Sequence, residues 1–255
     1  MKFSNKEEKI LQVIKKKIMK PEYEGIFVDL LAFTGLKPLD LCDHILKART
    51  RVRNEFNLVN PKGAIEHELF YRCCREYLFL NALRPVWDTM IEHFEGKKEQ
   101  AVLDFAGGMG NDSAWLSRQD YFVIYHEIGI IQREFMQFRR KRNNLNLKVT
   151  QPHECFNQFD QIAEYLAAFE MTLDCIVLRD VLEHIPNYEV FLKKLSALLK
   201  SGGHILEQTP WNRYEKEKNR ELYSPLHQKE GKKLTLIFEE LGFTNESKGV
   251  WKKHA

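Results

Sequence analysis

The sequence predicts an α/β protein with a doubly wound, mostly parallel β-sheet and an N-terminal helical cap. From about residue 97 onward, short apolar runs alternate with helical stretches, which is the pattern of repeated strand–helix units. Before that point, the apolar residues recur at helical spacing. We therefore expect a helical region over residues 1–95 and an α/β domain over residues 96–255.

Length and composition are those of a globular chain with one or two domains. The 255 residues include 44% hydrophobic residues, enough for a sizeable core, and the net charge of +3 does not favour a nucleic-acid partner. No apolar run approaches the roughly 18 residues that span a bilayer, and the N-terminus lacks the apolar stretch of a signal peptide. The five cysteines follow no metal-like spacing. We expect a reduced, cytoplasmic chain without a membrane partner, and its oligomeric state stays open.

Prolines and glycines divide the N-terminal region into helices. Pro21 stops a first helix, Gly35 ends a second, and Pro38 opens a third. A long helix is then expected between a turn at residues 60–63 and Pro85.

The second half of the chain alternates between strands and helices. Strands are expected at residues 101–105, 122–125, 147–150, 173–178 and 204–208, with a closing strand pair over residues 243–253. Helices are expected at residues 112–119, 130–142, 159–169, 188–199 and 234–241. The basic run Arg139–Arg142 ends one of these helices, where cations suit the negative end of the helix dipole.

The turn after the first strand carries the strongest functional signal. The apolar run of that strand reaches a single acid, Asp104. Four small residues follow it: Ala106, Gly107, Gly108 and Gly110. Glycine permits positive φ and lets a ligand lie against bare backbone, and the start of the next helix offers N–H donors. This order is typical of a turn that binds a nucleotide. It fits a dinucleotide fingerprint poorly, because Ser113 occupies the third position, where Gly or Ala is expected.

An acid also follows the second strand. Glu127 is in position to accept both ribose hydroxyls of a bound nucleoside. An acid in the turn after a strand is common by itself, but its combination with the turn after the first strand favours a nucleotide site.

Two segments resemble a known family. The spacing Asp104-x-Ala106-x-Gly108-x-Gly110 resembles the Asp-x-Gly-x-Gly-x-Gly motif of class I S-adenosylmethionine-dependent methyltransferases, with Ala in the first Gly position. The fourth strand leads into Leu182-Glu183-His184, and residues 199–203 (Leu-Lys-Ser-Gly-Gly) are similar to the Leu-Lys-Pro-Gly-Gly that follows in this superfamily. The resemblance covers about residues 97–245. It implies a Rossmann-like methyltransferase fold and S-adenosylmethionine as cofactor. It also implies that residues 1–95 form a helical cap that binds the substrate, and that residues 96–255 form the S-adenosylmethionine-binding domain.

The resemblance also implies roles for individual residues. The Ala106–Gly110 turn would lie against the methionine part of the cofactor. Asp104 and Phe105, which lead into this turn, are further candidate cofactor-binding residues. Glu127 would hold the ribose, and Ile128 would pack on the adenine. Arg179 and Asp180, just after the fourth strand, would form the floor of the site.

The segment after the fourth strand leaves three interpretations open. If it forms one helical turn, Asp180, Glu183 and His184 share a face and could bind a divalent metal ion. The set is similar to the Glu-x-x-Glu-His motif of metal-using O-methyltransferases, for which His227 would supply a further ligand, although Asp in the first position is a shorter ligand. Alternatively the site is metal-free and His184 alone is the base, or the segment is structural. Asp180 is the other candidate catalytic residue of this segment. We favour the base.

The leading functional prediction is an O-methyltransferase that acts on a small metabolite, sugar or lipid-like intermediate. RNA 2′-O-methylation is a second possibility, but it would favour a more basic surface. A nicotinamide-dependent oxidoreductase and a catalytically inactive binding subunit of the same fold are further alternatives.

Overall fold

The computed structural model describes residues 21–62, 64–97, 100–150, 172–185, 187–211 and 233–254. The chain divides into two compact units. Unit 1 comprises Met1–Trp87, Gly108–Trp115 and Ile128–Leu145, and unit 2 comprises Asp88–Gly107, Leu116–Glu127 and Asn146–Ala255. The functional division into a substrate-binding region and a cofactor-binding domain stays a prediction.

The helices in chain order are α1 (Pro21–Thr34), α2 (Pro38–Val59), α3 (Ala64–Cys73), α4 (Tyr77–Leu80), α5 (Asp88–Phe94), α6 (Asn111–Arg118), α7 (Ile130–Asn143), a 3-10 helix (Leu182–His184), α8 (Tyr188–Leu198) and α9 (Leu234–Glu240). The strands are β1 (Ala101–Phe105), β2 (Phe122–His126), β3 (Leu147–Val149), β4 (Leu173–Arg179), β5 (Leu199–Gln208), β6 (Phe243–Ser247) and β7 (Val250–Lys253). The predicted helix at residues 159–169 lies outside the described residues.

Unit 2 contains the whole described sheet. Its strand order is β3-β2-β1-β4-β5-β7-β6, in which β1 to β5 pair in parallel and β7 is antiparallel to both neighbours. This confirms the predicted doubly wound, mostly parallel α/β fold. The central strands were visible in the sequence because parallel strands are covered on both faces and become continuous apolar runs. Every residue of β1 is buried.

The core of unit 2 is apolar. Leu103, Ile176 and Ile205 from neighbouring strands are buried in one cluster with Leu192 of α8 and Phe238 of α9. One difference from the sequence prediction concerns β5, which begins at Leu199 and includes the residues expected to form a turn. The register of β5 shifts against β4 in this segment, because the extra residues are absorbed by a bulge.

Unit 1 is helical in its described residues up to position 87, as predicted. Gly35 follows α1 with φ +67, and Pro38 opens α2. The expected long helix after residue 63 is wrong, because α3 ends at Cys73 and only one further turn, α4, follows. Cys74 explains the break, since its thiol turns inward and donates a hydrogen bond to Glu55 of α2 at 3.0 Å. Across the described ranges, we find no helix with the length and apolar character that a membrane span requires.

Candidate active site

Asp104 and Gly107 form a close pair at the carboxyl end of β1, within unit 2. Asp104 is buried between Tyr125 of β2 and Val177 of β4 in the strand register. Gly107 donates its backbone N–H to the carbonyl of His126 at 3.1 Å. A Cβ atom at Gly107 would lie 2.6 Å from Oδ2 of Asp104 and 2.8 Å from Cδ2 of Tyr125. Only glycine therefore fits here while the Asp104 carboxylate keeps its position.

Ala106 adopts the left-handed conformation, with φ 56. This residue occupies the position at which the resembling motif has glycine, and an L-residue there is strained by about 1–2 kcal/mol. The neighbouring Phe105 ring stacks on His126 with centroids 4.7 Å apart and meets Phe191 edge-on at 5.0 Å. The Phe105 side chain is thus part of the core, and its predicted cofactor contact would have to use the backbone.

Gly108 and Gly110 continue the turn in unit 1, with φ +55 and +66. A Cβ atom at Gly108 would meet nothing within 4 Å, so open space adjoins this residue. A Cβ atom at Gly110 would collide with Sδ of Met136 on α7. The two glycines therefore serve different purposes: conformation alone at Gly108, and conformation plus close packing at Gly110.

The start of α6 is held by the segment that precedes α5. The Asn111 side chain donates to the carbonyl of Arg84 at 2.9 Å, and the backbone N–H of Trp87 donates to Oδ1 of Asp112 at 3.1 Å. These bonds join the end of the N-terminal helical region to the residues that directly follow the glycine-rich turn.

Glu127 follows β2 and is buried, with 8% of its surface exposed. The preceding His126 is also buried and is hydrogen-bonded through Nδ1 to Oγ1 of Thr150 at 2.7 Å. Ile128, the next residue in the chain, is half-buried. A buried carboxylate directly after β2 has the chemistry predicted for a ribose-binding acid, and the roles of Glu127 and Ile128 stay predictions.

The segment after β4 begins with a sharp change of direction. Asp180 has φ 56, and its N–H donates to the carbonyl of Gln208 on β5 at 2.8 Å. The Arg179 side chain donates through Nε to Oε1 of the same Gln208 at 3.3 Å. Both residues are half-buried. The end of β4 is therefore joined to the end of β5 by a backbone and a side-chain bond.

Glu183 and His184 lie on the short 3-10 helix that follows. The Glu183 side chain is fully buried, whereas the His184 side chain is 24% exposed, and His184 Nε2 is 3.8 Å from Oε1 of Glu183. The imidazole thus reaches solvent while a buried carboxylate lies beside it. This arrangement suits a residue that takes up a proton, because the carboxylate would stabilise the resulting imidazolium.

The structure does not meet the condition for a shared helical face of Asp180, Glu183 and His184. The 3-10 helix begins only at Leu182, and the left-handed Asp180 precedes it, so the three residues do not follow one helical repeat. Among the residues that the structure describes, no group of three or more His, Cys, Asp or Glu side chains is arranged to hold a metal ion. The proposed fourth ligand, His227, lies outside those residues.

Sequence analysis also missed Asp29 and its contact with Arg139. Arg139 belongs to the basic run predicted at the end of α7, where the structure places it, but it is buried, and its Nε donates to Oδ2 of Asp29 on α1 at 3.1 Å. A signal was present in the sequence: Arg139 lies four residues after Phe135, on the face predicted to point inward. Its partner could not be predicted, since Asp29 lies far away in the chain.

These features define the class of protein. Class I S-adenosylmethionine-dependent methyltransferases have this fold. It is a parallel sheet with a buried acid at the end of β1, a glycine-rich turn directly after β1, and a second buried acid after β2. A sequence model of a methyltransferase domain matches residues 65–248, more than half of the chain, and the chain therefore belongs to this methyltransferase domain family. This match confirms the predicted superfamily and enzyme class, and it does not support the oxidoreductase alternative.

A curated relative and several solved structures are similar to the chain. The ubiquinone/menaquinone biosynthesis C-methyltransferase UbiE of Haemophilus ducreyi is 28% identical over 154 residues, which cover 57% of each protein. The chain thus spans little more than half the length of that relative. TehB from Haemophilus influenzae is 14% identical, with 69% of this chain and 66% of that chain covered and a TM-score of 0.49. A SAM-dependent methyltransferase from Archaeoglobus fulgidus is 20% identical, with coverages of 62% and 66% and a TM-score of 0.42.

Proposed function

We propose that the protein transfers a methyl group from S-adenosylmethionine to a hydroxyl of a small-molecule acceptor, and that His184 takes the hydroxyl proton. The observation that carries this proposal is the partly exposed His184 beside the fully buried Glu183, directly after β4. A location in the reducing cytoplasm goes with it, and is supported by the free cysteines of the described residues, Cys42, Cys73, Cys74 and Cys175.

The cofactor would be held by residues at the carboxyl ends of the strands and by the turn after β1. Glu127 would accept hydrogen bonds from the ribose hydroxyls, and Ile128 would pack on the adenine. The bare backbone of Ala106–Gly110 would contact the methionine part, which is supported by the open space beside Gly108. Asp104, Phe105 and Arg179 complete the proposed set. The cofactor supplies an electrophilic methyl group on a positively charged sulfur, so the protein mainly aligns the two reactants.

The acceptor hydroxyl would become a better nucleophile as its proton passes to His184. Glu183 stabilises the imidazolium formed in this step, because its carboxylate lies 3.8 Å away and is removed from solvent. Asp180 would then orient the acceptor rather than bind a metal. The described donors Asp180, Glu183 and His184 do not form a metal site by themselves, and no step of the proposal uses one.

The first step of the test is to identify the acceptor. Metabolite extracts are treated with the protein and methyl-labelled S-adenosylmethionine, and labelled products are identified by mass spectrometry. With that acceptor, His184→Ala should lower kcat by roughly 10²–10⁴ and leave cofactor affinity unchanged. His254→Ala, at an exposed histidine near the C-terminus, is the matched control and should keep full activity. Full activity of His184→Ala would contradict the role of His184.

A chelator separates the proposal from metal-assisted transfer. A metal would polarise the acceptor hydroxyl, and its removal would cost several kcal/mol of transition-state stabilisation. We expect turnover to survive EDTA. Loss of activity in EDTA that Mg²⁺, Mn²⁺ or Zn²⁺ restores, together with an equal loss in His227→Ala and His184→Ala, would overturn the metal-free proposal.

Methylation at carbon is the second candidate, and one specific observation favours it. The relative with 28% identity is a C-methyltransferase. A base that removes the proton of a hydroxyl on an unsaturated ring also makes the ring carbon more nucleophilic, so His184 would serve either acceptor atom. The carbon-13 chemical shift of a product made from methyl-labelled cofactor distinguishes the two. A methyl group on oxygen supports the first proposal, and a methyl group on carbon replaces it with the second.

A further inference from the structure

Arg139 forms one half of a buried ion pair inside the helical unit. Its side chain and that of Asp29 are each only 3% exposed, and Nε of Arg139 lies 3.1 Å from Oδ2 of Asp29. Asp29 also accepts bonds from Nε of Arg142 at 3.2 Å and from Nδ2 of Asn143 at 3.0 Å. The pair thus joins α1, from the N-terminal region, to the last turns of α7.

The other end of Arg139 contacts the glycine-rich turn. Its NH1 group donates to the carbonyl of Met109 at 2.8 Å and to the carbonyl of Gly110 at 3.1 Å, and it lies 3.3 Å from Oδ1 of Asn111. All of these residues belong to unit 1. A guanidinium can make these bonds and the bond to Asp29 together, because its N–H groups point in several fixed directions.

We propose that Arg139, held in place by Asp29, is a positioning residue that sets the shape of the glycine-rich turn for the cofactor. The glycines on both sides of Met109 have positive φ and lack side chains that could fix their conformation. Backbone carbonyl groups are therefore what the protein can hold in this turn, and Arg139 holds two successive ones, those of Met109 and Gly110. The inference rests on the proposed cofactor role of this turn.

The N-terminal region thereby has a role in cofactor binding, in addition to its proposed role in binding the acceptor. If the region only bound the acceptor, its removal would leave cofactor binding intact. Since α1 supplies Asp29, a change in α1 should instead lower the affinity of the protein for the cofactor. The expected signature is a higher KM for S-adenosylmethionine with an unchanged KM for the acceptor, because neither side chain is proposed to touch the acceptor.

The test measures binding of S-adenosylmethionine and S-adenosylhomocysteine by calorimetry. Arg139→Met should lower the affinity for both ligands by roughly tenfold to a hundredfold, because the charge-assisted bonds to the turn are lost. Arg139→Lys should recover part of this affinity, since an ammonium keeps the charge but cannot reproduce the whole set of bonds. Unchanged affinity in folded Arg139→Met would overturn the inference.

A double variant distinguishes a positioning role of Arg139 in cofactor binding from a role in the stability of the fold alone. A single substitution leaves a buried charge without its partner and destabilises the fold, whereas replacing both members by apolar residues often restores stability. Asp29→Leu combined with Arg139→Met should therefore recover the unfolding midpoint of the wild type while cofactor affinity stays low. If affinity returns together with stability, the pair is only structural and the inference fails.

A matched control lies in the same unit. Arg51 on α2 binds Asp43 at 3.0 Å and Glu76 at 3.4 Å. Arg51→Met removes another ion-pair network of this unit, a more exposed one, since the Arg51 side chain is 30% exposed, and it should leave cofactor affinity as in the wild type. An equal loss of affinity would show that any broken network in unit 1 has this effect. The wild type is measured first, because failure of the wild type to bind either ligand would refute the proposed cofactor site rather than the role of Arg139.

Discussion

The two units bury charged side chains for different purposes. In unit 2, the buried acids Asp104, Glu127 and Glu183 lie in β1, after β2 and after β4, at the end of the sheet where parallel strands bind ligands. In unit 1, Asp29 and Arg139 join one helix to another. The buried acids of unit 2 are therefore those with a proposed catalytic or cofactor-binding role, whereas the buried pair of unit 1 connects two helices and contacts the glycine-rich turn.

The largest expected effect on stability comes from removing one member of the ion pair in unit 1. Asp29→Leu should cost about 3–5 kcal/mol of unfolding free energy, because Arg139 is then buried without its carboxylate. The double variant with Arg139→Met should cost far less than the sum of the two single variants. Urea unfolding followed by tryptophan fluorescence measures both. Additive losses would show that the two side chains do not act as a pair.

The difference between the units also explains what the sequence could predict. The sheet was predictable strand by strand, because each buried strand contains a local apolar run such as Ala101–Leu103. The acids Asp104 and Glu127 were recognisable because they come at the ends of such runs. The ion pair of Asp29 and Arg139 was not, since a contact between distant residues leaves no local pattern, although the spacing from Phe135 places Arg139 on the inward face of its helix. Ionised side chains are also normally expected at the surface, which is why the burial of Arg139 was not predicted.

The helix break at Cys74 and the conformation of Asp180 were hidden for similar reasons. Residues 64–80 contain no proline or glycine, so nothing local marks the end of α3, and the cause is a contact between Cys74 and Glu55 on another helix. Asp180 takes a left-handed conformation that glycine would normally supply, and its N–H bond to Gln208 holds it there. In both places tertiary contacts override the local preference.

Truncation of a buried leucine in the apolar core of unit 2 should lower the unfolding free energy. Leu192→Ala in α8 should cost about 2–5 kcal/mol, the loss typical of a fully buried leucine whose removal leaves a cavity. Val190→Ala on the same helix is the control, because Val190 is 58% exposed and should change stability by less than about 0.5 kcal/mol. Equal losses for both variants would contradict the burial of Leu192.

A histidine pair in unit 2 should make stability depend on pH. The rings of His93 and His204 are 4.6 Å apart. Burial, with Lys97 and His204 nearby, lowers the pKa of His93 from 6.5 to about 3. Burial also lowers the pKa of His204, against the opposing effect of Glu246. Between pH 6.5 and about 3 the unfolded chain binds a proton at position 93 that the folded chain does not, so stability falls as pH falls through this range.

The expected size of this effect is on the order of 1 kcal/mol, because His93 is only half-buried and solvent screens its surroundings. His93→Gln removes the titrating group and should flatten the pH dependence of the unfolding free energy over that range. Lys97, Glu246 and Lys252 face the pair and also contribute to the background slope. An identical slope in the wild type and in His93→Gln would show that His93 gains its proton as easily when folded as when unfolded.

The smallest predicted effect concerns Ala106, close to the point where the chain passes from unit 2 into unit 1. Its φ of 56 is strained for alanine, and Ala106→Gly should relieve about 1–2 kcal/mol of that strain. The added freedom of glycine in the unfolded chain offsets about 0.4–1 kcal/mol, so the net gain is on the order of 0.5–1 kcal/mol. Ala197→Gly, at an exposed position in helix α8, is the control and should lose about 1 kcal/mol. Opposite signs for these two identical substitutions would show that the chain keeps a strained residue where the resembling motif has glycine. A loss of the same size at both positions would mean that Ala106 is not strained.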